Sequence, residues 1–437
     1  MEKREKFSGK LGFVLSCIGS AIGLGNIWMF SWRLGQYGGA AFLVPYFLFV
    51  FVLGTVGLMG EFALGRSMRK GSFSGIKEIL NERKLPFSNL ISSIPTIGLA
   101  GIFIFYTIVV GWIIRYVYAS IMGSFNNVDI PNYFNTFVGT PYTIIWHALA
   151  IIVIIIIVLL GISKGIEKVN KIIMPALFII FILLMIRSLT LPGAMKGVEY
   201  LLVPKWSYLA KPITWVMALG QAFFTVSLTG SSMVVYGSYI DKDVDIPSSA
   251  INTVIFDSIS ALLAAFIIIP AAFSFGLDPS AGPALLFITV PSIFKMMPGG
   301  YIFGILFFLS VLFAAVSSAI NMLEVPVEAM MHELKWSRIK SVLIVSIVGF
   351  ILGIPLDLSM DKFGAFSDFI TIYLSPLGVI IAAIVFYWIY GVDKARKEIN
   401  IGAAKSIGKW FEPLAKYVFV LVAIGILILG AFYGGIG

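Results

Sequence analysis

Apolar stretches long enough to cross a bilayer recur along the chain at roughly 11–34, 38–64, 90–123, 141–162, 166–189, 212–240, 249–276, 299–331, 338–356, 365–391 and 411–434. A hydrocarbon core takes about 20 apolar residues as helix, so the pattern predicts about eleven transmembrane helices and an all-α polytopic membrane protein. Two of these spans contain residues that oppose a continuous helix. The first reads GSAIGLGN over 19–26, and its glycines at 19, 23 and 25 cost about 1 kcal/mol each relative to alanine. Its flanks are apolar enough to be helical, which predicts a helix broken near the bilayer midplane. Exposed backbone survives there only when protein, ion or ligand satisfies it. The alternative is a packing face made by Gly19 and Gly23, four apart.

The sixth span reads GQAFFTVSLTGSS over 220–232, with hydroxyls gathered around a glycine and Gln221 at mid-membrane. This is a second candidate break; the alternative is Ser and Thr bonding back to the preceding turn. Breaks five spans apart are the signature of two inverted five-helix repeats with a binding site between half-helices. The expected organisation is a tail at 1–10, a first repeat at 11–189, an extracellular loop at 190–211, a second repeat at 212–394, and an eleventh helix at 411–434.

Composition and charge narrow the class. A chain that is 59% hydrophobic and 12% charged, with mean hydropathy +0.99, belongs in lipid, not in the cytosol. The net charge of +9 is concentrated on alternate connections. Lys3, Arg4, Lys6 and Lys10, the 66–84 loop, Lys164, Lys168, Lys171, Lys335, Arg338, Lys340 and the 394–409 segment fall on one side. That bias predicts a cytoplasmic N-terminus in the cell (inner) membrane and an extracellular C-terminus. It carries no nucleic-acid signature; membrane lipid is the expected surrounding. A single cysteine and two distant histidines exclude intramolecular disulfides and the CxxC and HExxH metal patterns. Within the spans, Tyr106 and Asp257 need partners. The segment AAVSS at 314–318 offers close backbone approach and two hydroxyl oxygens.

The segments GSAIGLGNIW at 19–28, GGAAFLVPY at 38–46, GISKGIEKVNKIIMP at 161–175, GQAFFTVS at 220–227 and AAVSS at 314–318 together resemble the neurotransmitter:sodium symporter family, in particular its bacterial amino-acid transporters. The resemblance runs end to end and implies a leucine-transporter-like fold and sodium-coupled amino-acid symport by alternating access. It implies a first sodium site at Ala21, Asn26, Thr225 and Asp257, and a second at Gly19, Ile22, Ala314, Ser317 and Ser318. The implied amino-acid pocket comprises Ser20, Ala21, Leu24, Gly25, Ile102, Tyr106, Phe224, Thr225, Ser227, Gly230, Ser318 and Met322. The resemblance implies that Tyr106 and Phe224 also act as gate residues. Gly230 stands where relatives carry a large side chain against the substrate, which predicts room for a bulky apolar or aromatic amino acid.

The chain departs from the family pattern in several places. Met29 occupies the usual outer-gate arginine position, with Arg33 one turn further out facing the expected gate acid Asp368. Arg4 matches the N-terminal gate arginine, but His332 replaces its acidic partner. Asp257 and Ala261 stand where chloride-dependent relatives carry asparagine and serine, which predicts one or two sodium ions and no chloride. The expected partner is a neutral amino acid. A channel would require a pore lined by repeated polar residues, and an enzyme a catalytic pair at matching depth; the sequence offers neither. A transport-inactive amino-acid sensor and a symporter of a small neutral amino acid are the alternative readings.

Nine residues separate Gly165 from Pro175, the spacing at which relatives unwind the fifth helix to admit water to the second sodium. Proline already removes one helical hydrogen bond. Pro175→Ala is therefore expected to slow turnover in proteoliposomes while sodium-dependent substrate binding persists. Equal turnover of the two proteins would remove the hinge role.

Overall fold

A computed structural model describes residues 5–278 and 285–435. Among the described residues, nine helices are long and apolar enough to cross a membrane. They are α2 (Ala40–Met68), α3 (Ser88–Ile121), α4 (Tyr142–Leu159), α5 (Ile162–Leu189), α7 (Ile246–Ser274), α8 (Gly300–Glu333), α9 (Arg338–Asp357), α10 (Met360–Asn400) and α11 (Phe411–Tyr433). A tenth span is a bent pair, α1a (Lys10–Ala21) and α1b (Gly25–Gln36), with 58° between the halves. The sixth is likewise divided, into α6a (Pro212–Thr225) and α6b (Ser232–Ser238). Helix thus occupies every expected stretch, ten of them as apolar spans with the bent pair counted as one and the sixth as two shorter pieces. Both interruptions fall where glycine and hydroxyl residues opposed a continuous helix. Short helices at Ser72–Glu82 and Ala194–Leu202, in segments read as loops, and at Leu285–Met296 between α7 and α8, lie outside the predicted spans. The first two are amphipathic and pack one face on the bundle.

Helix starts follow local chemistry. The Asp245 side chain accepts from Ser248 N at 2.9 Å and Pro247 occupies the first turn of α7, satisfying an orphan donor where proline costs nothing. Ser337 and Ser359 cap α9 and α10 in the same way.

Burial sorts the helices into two layers. In α3, 78% of the apolar window is buried inside the protein, against 33% in α4, α5, α9 and α11. The outer helices turn Ile152, Ile156, Ile179, Ile351 and Leu421 outward, the belt expected of lipid-facing surfaces. The inner layer packs α1, α3, α6 and α8 about the two interruptions.

One polar cluster ties inner to outer layer. His147 on α4 places Nδ1 2.7 Å from Asp357 Oδ2 on α9 and Nε2 3.0 Å from Thr107 Oγ1 on α3. Thr143 Oγ1 donates to the Asp357 carbonyl at 3.1 Å. His147 and Asp357 are fully enclosed, and Asp357 Oδ1 already lacks a partner. His147→Leu would strand the carboxylate in a dry interior. It is expected to cost about 3–5 kcal/mol, seen as a clearly lower melting temperature in detergent. An unchanged melting temperature would show that the cluster does not hold the two layers together.

Candidate functional site

Between Ala21 and Gly25 the helical ladder stops. Ile22 is extended (φ −69°, ψ 104°) and Gly23 N donates to Asn26 Oδ1 at 3.1 Å. In the sixth span, Ser227 and Gly230 take positive φ (56° and 71°). The two loops face each other: Ser227 Oγ donates to the Ser20 carbonyl at 2.9 Å. Beside them lies a cavity of about 1060 Å³, counted to its open side. Ser20, Ala21, Leu24, Gly25, Ile102, Tyr106, Phe224, Thr225, Ser227, Ser318 and Met322 all line it.

Gly230 does not line the cavity, which corrects the expectation that it opens room for substrate. A Cβ there would run into the Gly378 carbonyl of α10, with Ala382 Cβ 3.0 Å away. Glycine at 230 therefore serves a left-handed turn pressed against another backbone. Thr229, its neighbour, faces the cavity instead. The room lies elsewhere: the cavity runs on past Leu99 and Phe105 to Val379 of α10 and Ala423 and Ile426 of α11.

Two groups of oxygens flank the α1 loop. In the first, Asn26 Nδ2 donates to Asp257 Oδ1 at 2.7 Å and to Thr225 Oγ1 at 2.9 Å, and Thr225 Oγ1 donates to Asp257 Oδ2 at 2.9 Å. All three side chains are buried. In the second, Ser317 Oγ lies 2.7 Å from the Gly19 carbonyl and 2.9 Å from that of Ala314. Ser318 Oγ lies 3.1 Å from the Ile22 carbonyl, 3.2 Å from Ser20 and 3.4 Å from Gly19. Asn26 turns Nδ2 to the first group and Oδ1 to Gly23 N, so the side-chain oxygens gathered there are those of Thr225 and Asp257. Across the two groups, residues up to 299 positions apart bring together oxygens of the kind hard cations take.

The model of the Sodium:neurotransmitter symporter family matches residues 4–140 and 138–433. The chain belongs to this family. The sodium-dependent transporter YhdH of Bacillus subtilis is 39% identical over 381 residues, covering 84% of this chain and 81% of that protein. A sodium-dependent transporter of Methanocaldococcus jannaschii is 30% identical over 98% of this chain and 91% of its own length. Among solved structures, MhsT in complex with L-phenylalanine superposes with a TM-score of 0.87 at 33% identity, covering 98% of this chain and 99% of that one. The protein is therefore a multi-pass membrane transporter of the sodium-dependent class with the leucine-transporter-like fold, and not an enzyme.

The residues expected to form the gates are arranged unevenly. Tyr106 and Phe224 both press on the α1 loop. A Cβ at Gly23 would lie 3.1 Å from the Tyr106 hydroxyl, and one at Gly25 would lie 2.5 Å from Phe224 Cε1. Arg33 is buried and donates from Nη1 to Gln221 Oε1 at 3.1 Å. Asp368 is exposed, and among the described residues no ion pair joins it to Arg33, so the expected outer pair is not made in this conformation. Arg4 lies outside the described residues. His332 sits beside Glu333, at 3.6 Å. At that end Arg338 pairs with Glu324 at 2.5 Å and with Glu5 at 3.3 Å, and Lys6 with Asp241 at 2.5 Å. Asp241 is held below the usual carboxylate range by its hydrogen bond from Lys6, with the Lys6 and Arg69 charges adding to it.

Sequence reasoning missed Glu61. Its Oε1 accepts from Gly230 N at 2.8 Å and Thr229 N at 3.2 Å, and Oε2 from Met233 N at 3.1 Å. One carboxylate on α2 thus satisfies the start of α6b, where the helix dipole favours negative charge. The available signal was an acid flanked by Gly60 and Phe62 in an apolar span. Asn321, which accepts from Ser232 Oγ at 2.6 Å and lines the cavity, was missed for the same reason.

The clash with Gly378 makes Gly230→Ala informative. It adds a left-handed alanine, roughly 1–2 kcal/mol of backbone strain, to a direct backbone collision. Loss of folded protein or of high-affinity binding is expected, with Thr229→Val milder on stability. Wild-type behaviour of Gly230→Ala would show that α6b and α10 separate freely.

Proposed function

We propose that this chain imports a large neutral amino acid, apolar or aromatic, together with one or two sodium ions and without chloride. The carrying observation is the pair of oxygen clusters on either side of one unwound loop that also lines the cavity. Substrate and ions then share the same backbone, so neither is held well without the other. Ala21, Asn26, Thr225 and Asp257 would hold the first ion, and Gly19, Ile22, Ala314, Ser317 and Ser318 the second. The amide ends at Leu24 and Gly25 and the Tyr106 hydroxyl suit the substrate carboxylate. The carbonyls of Ser20, Phe224 and Ser227 suit its ammonium group.

Size preference is supported by the extension of the cavity toward Val379, Ala423 and Ile426 and by the phenylalanine bound in MhsT. Chloride independence is supported by Asp257, a carboxylate already in the first cluster. A cytoplasmic N-terminus is supported by the face that gathers Lys6, Arg69 and Arg338 with the ends of several helices. Inward potential supplies about 2.3 kcal/mol per charge per 100 mV, so two ions sustain more than about a thousandfold accumulation.

Proteoliposomes with an inward sodium gradient test the reading. Uptake of labelled leucine or phenylalanine is expected to need sodium, to survive replacement of chloride by gluconate, and to be competed poorly by glycine. Asp257→Asn is expected to raise half-saturating sodium about tenfold, the loss of one charged ligand. Chloride-dependent uptake would defeat the role given to Asp257. Sodium-stimulated binding with no uptake would instead identify a sensor.

A further inference from the structure

Asn170 projects from α5 toward α1a and is fully buried. Its Nδ2 donates to the Ile166 carbonyl one turn back at 2.8 Å, which fixes the orientation of the amide and turns Oδ1 away from its own helix. That oxygen is enclosed and accepts no hydrogen bond. It occupies the space a Cβ on Gly19 would fill, and Ser317 Cβ would stand 3.2 Å from the same point. Gly19 and Ser317 belong to the second oxygen cluster, where the Ser317 hydroxyl meets the Gly19 carbonyl at 2.7 Å.

A buried acceptor left unsatisfied is costly, and an apolar residue of similar size would remove the cost. Oxygen aimed at the edge of an oxygen cluster has a different use. We propose that Asn170 Oδ1 is a further ligand for the sodium ion of the second site, contributed by α5 and added to Gly19, Ile22, Ala314, Ser317 and Ser318. The assignment rests on the second-site reading above. It gives the ion a direct bond to the helix that carries Gly165 and Pro175. Sodium occupancy then holds α1a against α5, and withdrawal of α5 removes one ligand from the ion.

The test is sodium titration of full-length protein in detergent at constant ionic strength against choline, read as thermal stabilisation with no amino acid present. Asn170→Ala is expected to raise half-saturating sodium about tenfold without lowering the melting temperature in choline. Asn170→Asp, which keeps an oxygen in place, is expected to retain the sodium response. A lower melting temperature in choline with unchanged half-saturating sodium would assign Asn170 a packing role and overturn the proposal. Loss of the sodium response in Asn170→Asp equal to that in Asn170→Ala would overturn it as well. Should Asn170→Ala not fold, Asn170→Ser, whose oxygen reaches less far, is read by the same rule. Ser317→Ala separates the two levels. If it shifts the titration and Asn170→Ala does not, only the Asn170 ligand fails. If Ser317→Ala leaves the titration unchanged, the second-site reading itself fails.

Discussion

A peptide group exposed in hydrocarbon must find a partner, and the two interrupted spans create several such groups at mid-membrane. The inner layer is arranged to meet them. Glu61 takes the amides of residues 229, 230 and 233. Asn26 folds back onto Gly23 N, and Ser227, Ser317 and Ser318 reach the carbonyls of residues 19, 20 and 22. The carbonyl contacts are the ones a cation or ammonium can take over, because a hydroxyl hydrogen rotates aside while its oxygen stays. Backbone satisfied by hydroxyls is stable without ligand and still open to it.

Close backbone approach is the second requirement, and glycine supplies it at defined points. Gly65 and Gly237 let α2 and α6b meet backbone to backbone, with Cβ positions running into residues 234–238 and Phe62. Gly230 and Gly378 do the same for the sixth-span loop and α10. At Gly12 and Gly19 the vacated space is filled by Glu167 and Asn170 of α5. Small residues let helices pack where no hydrophobic force acts between them. Here they also bring α5, α8 and the α1 loop to the same few oxygens.

Hydropathy and composition by themselves determined that this chain lies in a membrane, where its spans run and which two are broken. Span length and backbone cost are local properties, legible from glycine and hydroxyl placement alone. The motifs at 19–28, 161–175, 220–227 and 314–318 were enough to mark the family, and with it most of the residues that line the cavity.

Tertiary structure decided what those residues do to one another. Gly230 read as open space because relatives carry a large side chain at that position, and it is a contact with Gly378, 148 positions away. Arg33 read as facing Asp368 from helical periodicity, yet it turns inward to Gln221, because periodicity gives a face of one helix and not the helix opposite it. Glu61 is marked locally as an acid in an apolar span, and Asn170 stands in a basic stretch, but nothing local says what either one meets. Their meaning comes from the free amides of one span and the oxygens beside another. Which buried polar atom faces which loop is a property of packing between distant segments, and no stretch of this chain encodes it alone.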